Sequence, residues 1–199
     1  MIKLGLDFDN TLIVYDALFK KAALEKNLIP NDFPESKNLI RNHLRQRNKE
    51  KYFTIIQGEV YGSRISEASQ ATGMFEALKN IQDVEIELFI VSHKTKTPYE
   101  GPKYDLRSAA LSWLEKNLFF EISGINIPRE NVYFESNKEN KIKKIETLGC
   151  THFIDDLPEI LQMINPNIKR VLYDPLDNYS QKTDFIHLRN WSDLNKMIL

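Results

Sequence analysis

Short apolar runs alternate along most of the chain with segments whose apolar residues fall at helical spacing. That is the pattern of a parallel sheet joined by crossover helices. Residues 2–8 read as a first buried strand, 87–91 as a second, 131–134 as a third and 151–154 as a fourth. Segments 169–173 and 184–188 read as two further short strands. Between them, Leu106, Ala109, Ala110, Trp113 and Leu114 predict a helix over 105–117. Ile142, Ile145 and Leu148 predict another, which Gly149 should end, and Trp191-Ser192-Asp193-Leu194 offers a start for a last one. The rhythm breaks once, from about Tyr15 to about Thr72, where helical patterns run over 17–26, 35–47 and 52–58. Roughly sixty residues is far longer than an ordinary crossover. The expectation is an α/β fold with a Rossmann-like parallel-sheet core (1–14 and 73–199) and a small helical cap (15–72) inserted after the first strand. Open parallel sheets hold ligands at their strand ends, and the cap is expected there.

Composition narrows the class. With 27 basic and 28 acidic side chains, the net charge of −1 argues against a partner that is a nucleic-acid polymer. No apolar run approaches the ~20 residues of a membrane span, so no membrane partner is expected. No apolar leader opens the sequence, which points to a cytoplasmic protein. Cys150 is the only cysteine, which excludes an internal disulfide and a cysteine-based zinc cluster.

Chemistry enters at Asp7-Phe8-Asp9-Asn10-Thr11-Leu12, directly after the first strand. Two carboxylates one residue apart at a strand end repel each other unless a positive group sits beside them. Magnesium suits the place, because it prefers hard oxygen ligands. One carboxylate could then attack phosphorus while the other moves a proton, with Thr11 holding that second carboxylate by a hydrogen bond. The competing reading is a cluster of Asx helix caps.

This segment resembles the first motif of the haloacid dehalogenase-like (HAD) superfamily, most of whose members are Mg²⁺-dependent phosphatases. The resemblance implies that Asp7 is the nucleophile, forming an aspartyl-phosphate, and that Asp9 is the general acid/base. True dehalogenases of the superfamily lack the second Asp, so Asp9 speaks against dehalogenation. The second strand runs into Ser92-His93-Lys94. Ser92 matches the family's phosphate-binding Ser/Thr; Thr11 and His93 are further phosphate-binding candidates, and His93 and Lys94 also read as plain exposed loop residues. The fourth strand runs into Asp155-Asp156-Leu157-Pro158-Glu159, similar to the IDDRP form of deoxyribonucleotidases. The implied metal set is Asp7, Asp9 through its backbone carbonyl, Asp156 as a direct ligand and Asp155 behind a water. Glu159 is a third candidate. The family's lysine falls in the run 138–144; Lys141 is preferred to Lys138, and the other lysines read as a solvated face.

The order of these motifs implies a Mg²⁺-dependent phosphatase acting on a small phosphorylated metabolite. A phosphotransferase or mutase would use the same residues, and a catalytically silent binding protein should have lost Asp7 or Asp9. A response-regulator receiver domain fails, because its phosphoacceptor Asp should end the third strand, where Glu135 and Ser136 stand. Arg41, Arg45, Arg47, Lys49 and Lys51, near Tyr52 and Phe53, could receive an anionic substrate or form an ordinary solvated helix face. Residues 57–62 read as a substrate-contacting loop or a hinge. Substrate identity and oligomeric state are not encoded in any readable motif.

Overall fold

The computed structural model describes residues 1–81, 85–182 and 184–198. In chain order it begins with strands β1 (Ile2–Leu6) and β2 (Ile13–Val14) and helices α1 (Asp16–Glu25), α2 (Lys37–Gln46) and α3 (Glu50–Tyr61). Strand β3 (Ser69–Gln70), helix α4 (Met74–Asn80), strand β4 (Ile86–His93) and helix α5 (Leu106–Lys116) follow. The rest alternates: β5 (Val132–Glu135), α6 (Lys138–Thr147), β6 (His152–Asp155), α7 (Pro158–Met163), β7 (Lys169–Tyr173), β8 (Ile186–Leu188) and α8 (Leu194–Ile198). Contacts divide the chain into two units. The first comprises Met1–Ile13, Gln70–Lys94 and Leu118–Leu199, and the second Val14–Ser69 and Thr95–Asn117.

The first unit is a six-stranded sheet in the order β5-β4-β1-β6-β7-β8, and every pairing is parallel. All six strands expected from the apolar runs are present. The central strand β1 pairs with β4 through Leu6 opposite Ile90, and with β6 through Leu6 opposite Ile154. Its neighbours are close because position 5 lacks a side chain: a Cβ on Gly5 would lie 2.5 Å from the Phe153 ring on β6. Phe153, Ile145, Ile160, Leu161 and Leu172 pack with Cys150 into one buried cluster. Helix α6 stops where the sequence indicates, since Gly149 takes φ +68°, a left-handed conformation that glycine adopts without steric cost. Two short helices, α4 and α7, carry too few turns to register as a periodic pattern.

In the second unit, α1, α2 and α3 form between the first and second strands of the sheet in sequence. Ser36 starts α2 by accepting a hydrogen bond from the Leu39 N–H, and Asp16 Oδ1 accepts one from the Lys37 N–H at 2.6 Å. Phe19 stacks on Phe53 with ring centroids 5.4 Å apart, beside buried Ile40, Leu44, Ile56 and Val60. Residues 57–61 continue helix α3 rather than forming the expected loop or hinge, because the buried residues Phe53, Ile56 and Val60 carry one apolar stripe through them. Helix α5 groups with this unit, whereas the sequence places it within 73–199. Its Trp113 is 1% exposed and donates from Nε1 to the Ala68 carbonyl at 3.1 Å. Among the described residues, no helix is long and apolar enough to cross a membrane.

Candidate active site

The parallel register decides which side chains leave the sheet together. Leu6 lies opposite Ile154, so Asp7 and Asp155 emerge side by side from β1 and β6. The sheet order reverses at this point, since the chain runs outward from β1 to β4 and β5 before returning to β6 on the other flank. Crevices at such reversals are where open α/β sheets hold ligands. Asp7 keeps its place by donating its backbone N–H to the Ile154 carbonyl at 2.9 Å. Three residues on, Asn10 takes φ +60°, a conformation that asparagine tolerates, and the chain turns away.

Lys141 joins the two strand ends. Its Nζ lies 2.6 Å from Asp7 Oδ1 and 2.6 Å from Asp155 Oδ2, with all three residues buried. The remaining Asp155 oxygen accepts the Leu157 N–H at 2.9 Å, just before helix α7 begins at Pro158. Lys138, the alternative reading of the lysine, forms a half-exposed pair with Glu159 at 2.5 Å instead. That pair also occupies Glu159, the third acidic candidate.

Carboxylate oxygens of Asp7, Asp155 and Asp156 lie within 4.8 Å of one another. One ammonium cannot offset so much negative charge. Burial, reinforced by the charges of Asp155 and Asp9 against the opposing pull of Lys141, pushes Asp7 up to about 7. Burial also works against the charge of Lys141, but Asp155 and Asp7 outweigh it and hold the ammonium well above its ordinary pKa. A divalent ion among these oxygens would relieve the crowding, and an all-oxygen carboxylate set fits a hard cation better than zinc or copper.

The flank on β4 differs from expectation. The strand runs to His93, so Ser92 and His93 lie within it, and alternation sends them to opposite faces. Ser92 is 1% exposed. His93 is exposed, with Nε2 3.1 Å from the Ser136 carbonyl oxygen, and the structure does not bring it together with Ser92. Lys94 is no exposed loop residue. It is 3% exposed, and its Nζ lies 2.9 Å from each carboxylate oxygen of Asp9. The Thr11 hydroxyl, expected to hold Asp9, is fully buried and has no hydrogen-bond partner among the described residues. Lys94 holds Asp9 in its place. Sequence parity contains a signal for this, since Lys94 stands two residues beyond Ser92 in extended chain and shares its face.

No protein-family model matches the sequence. No curated protein matches it significantly. Solved structures do share its fold. A HAD hydrolase of family IA, variant 3, from Entamoeba histolytica aligns over 100% of this chain and 98% of its own, with a TM-score of 0.61 at 12% identity. A HAD-superfamily hydrolase from Ehrlichia chaffeensis aligns over 98% and 95%, with a TM-score of 0.57 at 18% identity. A phosphoserine phosphohydrolase-like protein from Francisella tularensis aligns over 100% of both chains, with a TM-score of 0.52 at 16% identity. The chain therefore has the HAD-like fold, as Asp7-Phe8-Asp9-Asn10-Thr11 implied.

Proposed function

We propose that this protein is a Mg²⁺-dependent phosphatase that hydrolyses a small phosphomonoester through an aspartyl-phosphate on Asp7. The observation that carries this reading is the bridge from Lys141 to Asp7 and Asp155, with Asp9 separately held two residues along the chain. Asp7, Asp156 and the Asp9 carbonyl would hold the ion, with Asp155 beside it, and the ion would offset charge on the phosphoryl oxygens. An Asp7 oxygen attacks phosphorus, the ester P–O bond breaks, and the leaving oxygen takes a proton from Asp9. A water oxygen then attacks the phosphorus, its proton passes to Asp9, and the P–O bond to Asp7 breaks with its electrons returning to the carboxylate. Lys141 keeps Asp7 aimed and meets a phosphoryl oxygen, and Ser92 donates to another. A dehalogenase has no ester oxygen to protonate, so the investment in holding Asp9 favours phosphate esters.

The same reading takes the helical segment 15–72 as a substrate-selecting cap. The chain leaves the core four residues after Asp9 and again directly after Lys94, so both departures follow residues of the site. Charge reversal at Arg41, Arg45 and Lys49 should then change the ranking of substrates.

A panel of phosphorylated metabolites with Mg²⁺, read as released phosphate, tests the activity. Asp7→Asn keeps the size but removes the attacking charge, and turnover should fall by roughly 10⁴-fold or more with the fold retained. Near-normal turnover in that variant would remove Asp7 as the nucleophile.

A further inference from the structure

Lys94 has no part in the chemistry above, yet the protein buries it. An ammonium taken out of water costs several kcal/mol unless paired and hydrogen-bonded. Here its partner is the whole Asp9 carboxylate, with both oxygens at 2.9 Å. The mount is stiff. The Lys94 N–H donates to the Glu135 carbonyl at 2.9 Å, which prolongs the β4–β5 ladder by one residue. Its Nζ also sits 5.3 Å from the centroid of the fully buried Phe8 ring, which is fixed edge-to-face against Phe134 at 6.2 Å. An ammonium on a four-carbon stem is otherwise among the least ordered groups in a protein.

We propose that Lys94 is a positioning residue that holds the Asp9 carboxylate as the water-orienting base for breakdown of the phosphorylated Asp7, an inference that rests on the phosphatase reading. Each carboxylate oxygen offers two lone pairs, so a bond from Lys94 does not by itself exhaust what that oxygen can accept. In that half-reaction the water O–H bond breaks toward Asp9, the new O–P bond forms, and the P–O bond to Asp7 breaks to regenerate its carboxylate. A carboxylate free to rotate would meet the water in the wrong orientation much of the time. Lys94 therefore serves the second half-reaction more than the first.

The test is transient kinetics on Lys94→Met, which keeps the length and removes the charge, using an aryl phosphate with a good leaving group. Such a substrate needs little proton donation in the first half-reaction. The expected result is a burst of phenol release followed by slow turnover, with kcat and KM falling together by about ten- to a hundredfold. The ratio kcat/KM, set by the first half-reaction, should change by less than about threefold. A rise in KM alone, with weakened inhibition by inorganic phosphate, would make Lys94 a phosphate ligand and overturn the proposal. An equal loss of kcat and kcat/KM without a burst would also overturn it, as would unchanged kinetics. If Lys94→Met fails to fold, Lys94→Gln replaces it under the same criteria. Should the wild-type protein release phosphate from no ester, the phosphatase reading fails separately. Crystal structures of wild type and Lys94→Met still decide the positioning claim, because Asp9 should leave its place in the variant; an unmoved carboxylate overturns it.

Discussion

The two units hold cations against carboxylates at nearly the same distances and to different ends. In the sheet unit, Lys141 and Lys94 meet Asp7, Asp155 and Asp9 at 2.6–2.9 Å with each lysine almost wholly buried. In the helical unit, Arg64 meets Glu67 at 2.8 Å and Glu25 at 2.5 Å, and Lys21 meets Glu67 at 2.8 Å, with these carboxylates open to water. Distance alone does not rank these contacts. Water screens the surface set, where an ion pair is worth little, whereas removing one partner of a buried pair leaves a charge that nothing solvates. Buried pairs whose carboxylates lie within three residues of a strand end are costly to keep, and their presence at one edge of the sheet supports reading that edge as the site.

That contrast breaks most visibly at Lys141. Lys141→Met should lower turnover by at least about 10³-fold and destabilise the metal-free sheet unit by roughly 3 kcal/mol, softened as Asp7 takes up a proton. Denaturant titration beside a phosphate-release assay checks both. A variant as stable and as active as wild type would place this cluster in the same class as the surface pairs.

Adding Mg²⁺ to the wild-type protein should stabilise it by about 2.7 kcal/mol at a hundred times the dissociation constant. Because burial and its acidic neighbours push Asp7 up to about 7, proton and ion compete for it. Affinity measured by calorimetry should therefore be weaker at about pH 6 than at about pH 8, with protons released on binding near neutrality. An affinity that does not change across that interval would detach Asp7 from the ion.

In the helical unit the largest single polar contact to test is neutral. Trp113→Phe removes the hydrogen bond to the Ala68 carbonyl and part of a fully buried ring, and should cost about 1–2 kcal/mol in thermal unfolding. Glu67→Gln should have a smaller effect. Hydrogen bonds from Arg64 and Lys21 lower the Glu67 carboxyl from 4.5 to about 2. A lowered acid pKa contributes stability that is full above about pH 4.5 and disappears as pH falls toward about 2. The difference between wild type and Glu67→Gln should narrow over that interval and vanish at its acid end. A gap that persists there would mean that Glu67 acts by packing.

The sheet was legible because its central strands are buried on both faces and all six read as short apolar runs. The motif at Asp7 was legible because acidic residues at the end of such a run are out of place without a function. Lys141 was approached only through the family resemblance, which put a lysine in the run 138–144 and left Lys138 as the alternative. Lys94 was not legible, because its burial depends on a carboxylate 85 positions away in sequence, and the same letters in a loop spell an exposed side chain. The membership of α5 was hidden for the same kind of reason. Its apolar face announces a helix but not which core receives it, and the partners that decide this, such as the Ala68 carbonyl that Trp113 meets, lie as far as 45 positions away.

Cys150 gives the sheet unit a built-in reporter. It is the only thiol in the chain and is buried in the cluster with Phe153, and burial pushes it up to about 11. A thiol in that state reacts with alkylating reagents only when its surroundings open. Its labelling rate in native conditions therefore measures openings of the sheet unit alone, since the helical segments contain no thiol to contribute signal. Ligands that occupy the strand ends should slow that rate, so a substrate search could be run as a protection assay, with no turnover required.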